Sequence, residues 1–499
     1  MTTLTAGEAR RAARNAGAIA LARILSSGAQ FLWQIILAGS LGQAEFGVYG
    51  AVGALFNIGV TVASFSIGLI VIREVARRPE ESGRIWGAAL FIQTTASLLA
   101  YVGINIAATG YDDVIRGYAA VACLSVFVDT IGSHCYDQLL ARERMVTTSV
   151  IEVAHIAVRL ALAAGALSLG FGLMGVYLAT LVASVGRSAL LWVLLWRTGA
   201  RPVFPVDRRI LRVLILDSAP LTVYAFINMT YSQIDKLLTS GLLTNADTGY
   251  LTAGFVIVSG AIEILSTTVL VAIYPMLSRM GEEGAGQGSD AFRFVVEKLA
   301  FFTLLIGVPM GLVFSVFAPA LIVPLFGSNY APTAEILRVL IWFASVTMIS
   351  NVFAQALFAQ NRQRRMVVYR VIGLACKLAI SLILLPRIGV IGAALSSVTA
   401  ELVVLAILTR DFRIGWRALV PRLGRLAALA GVTALAFVGF GAVHVVVGLV
   451  AGGIVYAGGV LIGRILAPDD WDLLYRLTAA MPGGAVILRW WKRETVIGW

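Results

Sequence analysis

Apolar residues run in long blocks along the whole chain, separated by short charged or turn-forming breaks. The blocks lie near 15–39, 46–72, 85–110, 117–138, 146–168, 173–196, 213–240, 249–274, 295–318, 339–359, 366–386, 390–409, 426–444 and 446–463. A helix needs about 20 mostly apolar residues to cross hydrocarbon. Backbone polar groups must be satisfied within the segment there, so blocks of this length are helices. The pattern predicts an all-α polytopic membrane protein with about 14 transmembrane helices.

Composition agrees. The 499 residues are 59% hydrophobic and 13% charged, against about 25% charged in a soluble domain. Mean hydropathy is +0.88. The net charge is +12, which in a soluble chain would suggest nucleic acid. Sorting the 39 cations gives another cause: 29 fall in loops and tails on one side, 3 on the other and 7 within spans. By the positive-inside rule both termini are cytoplasmic and no nucleic-acid partner is needed. Arg10, Arg11 and Arg14 precede a first apolar run too long for a cleavable signal, so it reads as a span. Cys123, Cys135 and Cys376 all sit in apolar runs without a pairing pattern.

Several chemistries are disfavoured. No Gly-Lys dipeptide occurs, so there is no P-loop, and HExxH and CxxC are missing. The sequence calls for no cofactor and no metal. The outer connections are short, the longest being roughly Pro319–Arg338. That leaves little room for an external catalytic domain, so an enzyme acting on lipid-linked sugar is disfavoured.

The basic stretch Trp196–Arg212 divides the first twelve spans into two sets of six. A shift of 202 residues sets Gly39 on Gly241, Leu41 on Leu243 and Gly47 on Gly249. Two related six-helix lobes, 1–204 and 205–412, are expected, then two further spans in 413–467 and a basic, aromatic tail, 468–499. Such repeats suit a rocking transporter that binds its cargo between lobes. The tail sets Trp471, Trp490, Trp491 and Trp499 among Arg476, Arg489, Lys492 and Arg493, a mixture that favours the lipid headgroup region.

Leu41-Gly42-Gln43-Ala44-Glu45-Phe46-Gly47-Val48-Tyr49 resembles the LG-x-x-x-FG-x-Y turn of oligosaccharide flippases. Arg73-Glu74-Val75-Ala76-Arg77 is similar to that family's RE-hydrophobic-AR segment. Asp247-Thr248-Gly249-Tyr250, Tyr274-Pro275-Met276-Leu277-Ser278 and Leu325-Phe326-Gly327-Ser328-Asn329-Tyr330 resemble its second-half landmarks, as does the run from Leu384 to Ala394. The resemblance is to the polysaccharide-synthesis (Wzx-type) branch of the multidrug/oligosaccharidyl-lipid/polysaccharide exporter superfamily. It implies a V-shaped, two-lobe fold in the cytoplasmic membrane. The implied activity is flipping of undecaprenyl-pyrophosphate-linked oligosaccharide outward for O-antigen, capsule or exopolysaccharide synthesis. Membrane lipid, a polysaccharide polymerase and glycosyltransferases are the implied partners. Other readings are a multidrug exporter of the same superfamily, a lipid II flippase or a non-transporting assembly scaffold. The lipid II branch's Gly-Phe-x-Arg-Asp is replaced here by Ser27-Gly28-Ala29-Gln30-Phe31, which argues against that cargo.

Polar residues inside spans are costly and mark cavities or partners. At about 100° per residue, Arg23, Ser27, Gln30 and Gln34 share one face of span 1. Glu152, His155 and Arg159 share a face of span 5, and Asp217, Tyr224, Asn228, Tyr231 and Asp235 one of span 7, with Lys236 beside it. A pyrophosphate needs cations, for which Arg offers a fork and Lys a point charge. Arg23, Arg159, Lys236 and Lys377 are the candidates for the anion, and Gln30, Gln34, Asn228 and Tyr231 for the glycan. Asp129, Asp137, Glu152, Asp235 and Glu263 are candidates for ion coupling or structural pairing. Among the pairings expected are Glu152 with Arg159, Asp235 with Lys236, and Arg187 with Glu152 or Asp129. His134 and His444 read as satisfied core histidines rather than proton relays.

Overall fold

A computed structural model describes residues 6–199, 201–263, 290–463, 465–467 and 470–471, without the side chains of 6–20, 23 and 416–418. The chain is a multi-pass membrane protein. Twelve helices among the described residues are long and apolar enough to cross a membrane. One of these stretches, Ile24–Arg77, has 54 residues and covers the first two expected spans. The expected span near 249–274 is described only to residue 263. Nearly all of the tail 468–499 lies outside the described residues.

The chain divides into two compact units, Met1–Ala253 with Ser381–Ala393, and Gly254–Ile380 with Ala394–Trp499. The first contains α1 (Ala6–Ser64), α2 (Gly68–Arg77), α3 (Ser82–Ala108), α4 (Asp113–Ala122), α5 (Leu124–Leu140), α6 (Met145–Ser168), α7 (Gly172–Arg197) and α8 (Arg208–Leu242). Helix α9 (245–263) begins in it. The second contains α10 (Asp290–Val316), α11 (Ala318–Phe326), α12 (Pro332–Ala359), most of α13 (Gln363–Ile388) and α14 (Val390–Asp411), then α15 (Trp416–Gly441) and α16 (Val445–Ile462).

In the first unit α1 packs on α3, α6 and α8, while α7 packs on α5 and α6. Its core joins Ile67, Ile70 and Val75 to Ile85, Ala89, Ile92 and Leu214. In the second, α10 packs on α12 and α15 on α16. Leu98, Leu99, Val102 and Ile106 of α3 and Leu435 and Val438 of α15 are exposed. Apolar faces that would make a soluble protein aggregate are the natural lipid contact of a membrane one.

Gly42 interrupts α1 with φ 75° and ψ 174°, a conformation open essentially only to glycine. It separates the first two expected spans. A second break falls where the sequence predicts an unbroken span over 46–72: Phe65 and Ser66 adopt φ of 49° and 45°, and α2 starts anew at Gly68. The Ser64 carbonyl that the break exposes accepts from Gln93 Nε2 at 3.3 Å. At the start of α9, Thr244 and Asp247 form a reciprocal cap: Asp247 N–H donates to Thr244 Oγ1, and Thr244 N–H to Asp247 Oδ2 (both 3.1 Å).

The two glycine-bearing segments cross reciprocally. A Cβ on Gly47 would lie 1.7 Å from the Asn245 carbonyl oxygen, and one on Gly249 would lie 1.9 Å from that of Gln43. A Cβ on Gly50 would meet Thr252. Every partner obeys the 202-residue shift, and Gly50–Thr252 maps onto itself, as a pair on a pseudo-two-fold axis must.

Candidate functional site: a charged cluster in the first unit

Helix periodicity sets Glu152, His155 and Arg159 on one face of α6. That face meets Asp129 of α5, Ser184 and Arg187 of α7 and Tyr49 of α1. Arg187 holds Glu152 Oε1 through Nε at 2.7 Å and Nη2 at 2.5 Å, and its side chain is 9% exposed. Glu152 therefore pairs with Arg187 of α7 and not with Arg159. Asp129 lies near Ser184, and His155 lies near the backbone of Ala183.

Arg159 is half-buried within electrostatic reach of Tyr49, Asp129 and His155. Among the described residues it has neither an ion-pair partner nor a hydrogen bond. A guanidinium left unpaired inside a membrane segment is expensive unless an anion or water reaches it. The cluster thus sets two guanidiniums among two carboxylates, with Glu152 and Arg187 in direct contact and Arg159 held only at electrostatic range of Asp129.

The remaining predicted residues are distributed as follows. Arg23 lies on α1, with its side chain outside the described residues. Gln30 on the same helix is exposed and Gln34 half-buried. On α8, Asn228 and Lys236 are half-buried, and Lys236 Nζ donates to Gln233 Oε1 at 3.2 Å. Tyr231 and Asp235 are buried. Asp217, grouped with them by periodicity, is instead held by Arg73 Nη2 of α2 at 2.5 Å. Asp137 lies against Gly68 at the start of α2. In the second unit Lys377 is buried, its Nζ 5.4 Å from the centre of the Phe343 ring. Arg370 pairs with Glu401 at 2.8 Å in the interior. Glu263 is half-buried at the end of the described part of α9.

Two features escape the sequence reading. Asp470 is buried and takes Lys298 of α10, Arg422 of α15 and the Ala467 N–H at once. Only its position beyond the last span, far in sequence from both cations, conceals it. The other is His134. Expected to be a satisfied core histidine, it is fully buried with neither ring nitrogen hydrogen bonded. Its neighbours on α3 are polar at steps of four and seven, a periodicity present in span 3 but hidden among apolar residues. His444 accepts from Val446 N–H at 3.2 Å as the N-cap of α16, so it is satisfied at a helix end and not in the core.

Comparison with known proteins follows this geometry. Residues 36–335 match a family model described as polysaccharide biosynthesis protein. An uncharacterized membrane protein of Methanocaldococcus jannaschii is 26% identical over 131 residues, 26% of this chain. The match spans 25% of that relative's length. A structure of the lipid II flippase MurJ in an inward closed conformation aligns with TM-score 0.73 and 12% identity, covering 89% of this chain and 98% of that one. An inward-facing MATE multidrug transporter of the MOP superfamily gives 0.64 and 15%, covering 78% and 94%. At these identities the likeness is one of fold, and the fold is that of MOP-type transporters.

Proposed function

Since the chain belongs to the polysaccharide biosynthesis protein family, we propose that it flips polyprenyl-pyrophosphate-linked oligosaccharide from the inner to the outer leaflet of the cytoplasmic membrane. Arg159 carries this reading: it is a membrane-embedded cation with no direct ion pair among the described residues, Asp129 lying only within electrostatic reach. Pyrophosphate supplies the missing anion, and a guanidinium fork suits its oxygens. Arg23 and Lys236 are assigned the same role. Gln30, Gln34 and Asn228, at least half-open, suit sugar hydroxyls. Tyr231 and Lys377 are buried, so this reading gives them a part only in a conformation that uncovers them.

On this reading, which the cation bias supports, both termini lie in the cytoplasm and the cargo moves by alternating access of the lobes 1–204 and 205–412. A charge-assisted hydrogen bond contributes about 1.5–3 kcal/mol. Replacing Arg159 with Ala is therefore expected to weaken headgroup binding about 10- to 100-fold and to lower surface polysaccharide at matched expression. Arg23→Ala with Lys236→Ala is expected to deepen the loss. Full glycan display in the triple variant would remove these cations from the mechanism. Drug resistance that changes with expression while glycan display stays constant would favour a multidrug exporter.

A further inference from the structure

A line of polar residues runs along α3 between its apolar ones. Ser82, Trp86, Gln93, Ser97, Tyr101 and Asn105 follow at steps of four or seven, which keep residues on one helix face. At 1.5 Å per residue they extend about 34 Å, against about 30 Å of hydrocarbon. α5 packs on this helix and answers with Thr130, His134 and Gln138 at steps of four. The pairing is antiparallel: Arg142, just beyond α5, donates to Ser82 Oγ at 3.2 Å. The Trp86 and His134 rings lie 6.5 Å apart, and those of Tyr101 and Phe127 5.7 Å.

Six polar atoms of this seam have no hydrogen-bond partner among the described residues. They are Trp86 Nε1, Gln93 Oε1, Ser97 Oγ, Gln138 Nε2 and both ring nitrogens of His134. Their residues are at most 3% exposed. Dry burial of so many polar groups is strongly unfavourable. Gln93, Thr94, Ser97 and Thr130 line, with Leu90, Phe127 and Ile131, a small pocket of about 20 Å³ that is partly open. One water needs at least about 10–15 Å³ and two to four polar partners. The chemistry matches: Thr130 spends its proton on the Val126 carbonyl and, like Gln93 Oε1, accepts, while Ser97 is free to donate.

We infer that this seam holds a file of water molecules and that His134 is its exchange point, making a proton path through the first unit. The ring accepts a proton from water at one nitrogen and releases the proton of the other nitrogen to water on the far side. Exchange of tautomers restores the starting state. Charged groups on the packed elements are mostly engaged elsewhere: Arg187 with Glu152, Glu74 of α2 with Arg73, and Asp129 within electrostatic reach of Arg187 and Arg159. Asp137 lies against α2. α3 carries only Arg84, at its start, and α4 only Asp113 and Arg116, in its first turn. Glu45 of α1 is exposed. His134 is thus the titratable group centred in the seam.

The chain has three histidines, so nitrogen-15 histidine labelling of the full-length protein in bilayers gives a spectrum simple enough to assign. The His134 signals, identified by their loss in His134→Gln, are expected to gain magnetisation from water within milliseconds. Signals that receive none would overturn the hydrated seam. In vesicles with a trapped pH dye and an imposed potassium diffusion potential, wild type is expected to pass protons faster than protein-free vesicles. His134→Gln and His134→Phe are each expected to lower that flux about tenfold. Wild-type flux equal to protein-free vesicles, or unchanged in both variants, would overturn the relay. Neither measurement needs a cargo, so a failure here is distinct from a failure of the flippase reading.

Discussion

Charged side chains inside this protein are of two kinds, and neighbours decide which. Arg187, Arg370 and Lys298 each have a carboxylate, whereas Arg159 has none among the described residues. For a paired residue, losing one partner strands the other. Arg370 and Glu401 are 5% and 0% exposed, so Glu401→Ala is expected to cost about 3–5 kcal/mol, read as a fall in melting temperature. Glu401→Ala with Arg370→Met should recover most of it. A double variant no better than the single would show that the pair holds something besides itself. Arg159→Ala is expected to leave melting unchanged while lowering transport. This contrast was only half legible in the sequence. Periodicity put Glu152, His155 and Arg159 on one face and offered Glu152 both Arg159 and Arg187 as partners; only the packing of α7 on α6 shows that Arg187 takes it. Periodicity hid Asp470 altogether, because a carboxylate beyond the last span gives no sign of folding back on α10 and α15.

Helices were the most legible level, because long apolar runs admit one backbone solution in lipid. Their interruptions were less so. Gly42 falls where the sequence already separates two spans, but the break at Phe65–Ser66 carries no glycine or proline to announce it. The crossing of the segments beginning at Gln43 and Asn245 gives the 202-residue repeat a physical meaning. Two backbones approach so closely that Gly47→Ala or Gly249→Ala must push main chain apart, at about 1–3 kcal/mol each. The ideal Cβ of Gly50 lies 3.1 Å from the Thr252 Cβ, so a small separation of the two backbones brings the pair to the about 3.5–4.5 Å of a disulfide. Gly50→Cys with Thr252→Cys, in a background lacking the three native cysteines, should cross-link on mild oxidation. Failure to cross-link in any condition would contradict the crossing.

For the whole molecule, the chain belongs to the polysaccharide biosynthesis protein family and has the fold that MOP-type transporters share. The motifs that carry the resemblance lie at turns and glycine seats, where the backbone constrains residue choice. The residues proposed for sugar contact are dispersed over several helices and carry no such spacing. On the same proposal the basic excess sets mainly orientation, with few cations left for cargo. The most direct measurement reconstitutes the full chain in vesicles with polyprenyl-pyrophosphate oligosaccharide confined to one leaflet, and follows headgroup exposure to a glycosidase added to the other side. The account predicts exposure well above that of protein-free vesicles, lowered by Arg159→Ala. Exposure no greater than in protein-free vesicles, with folded protein present in both orientations, would contradict it.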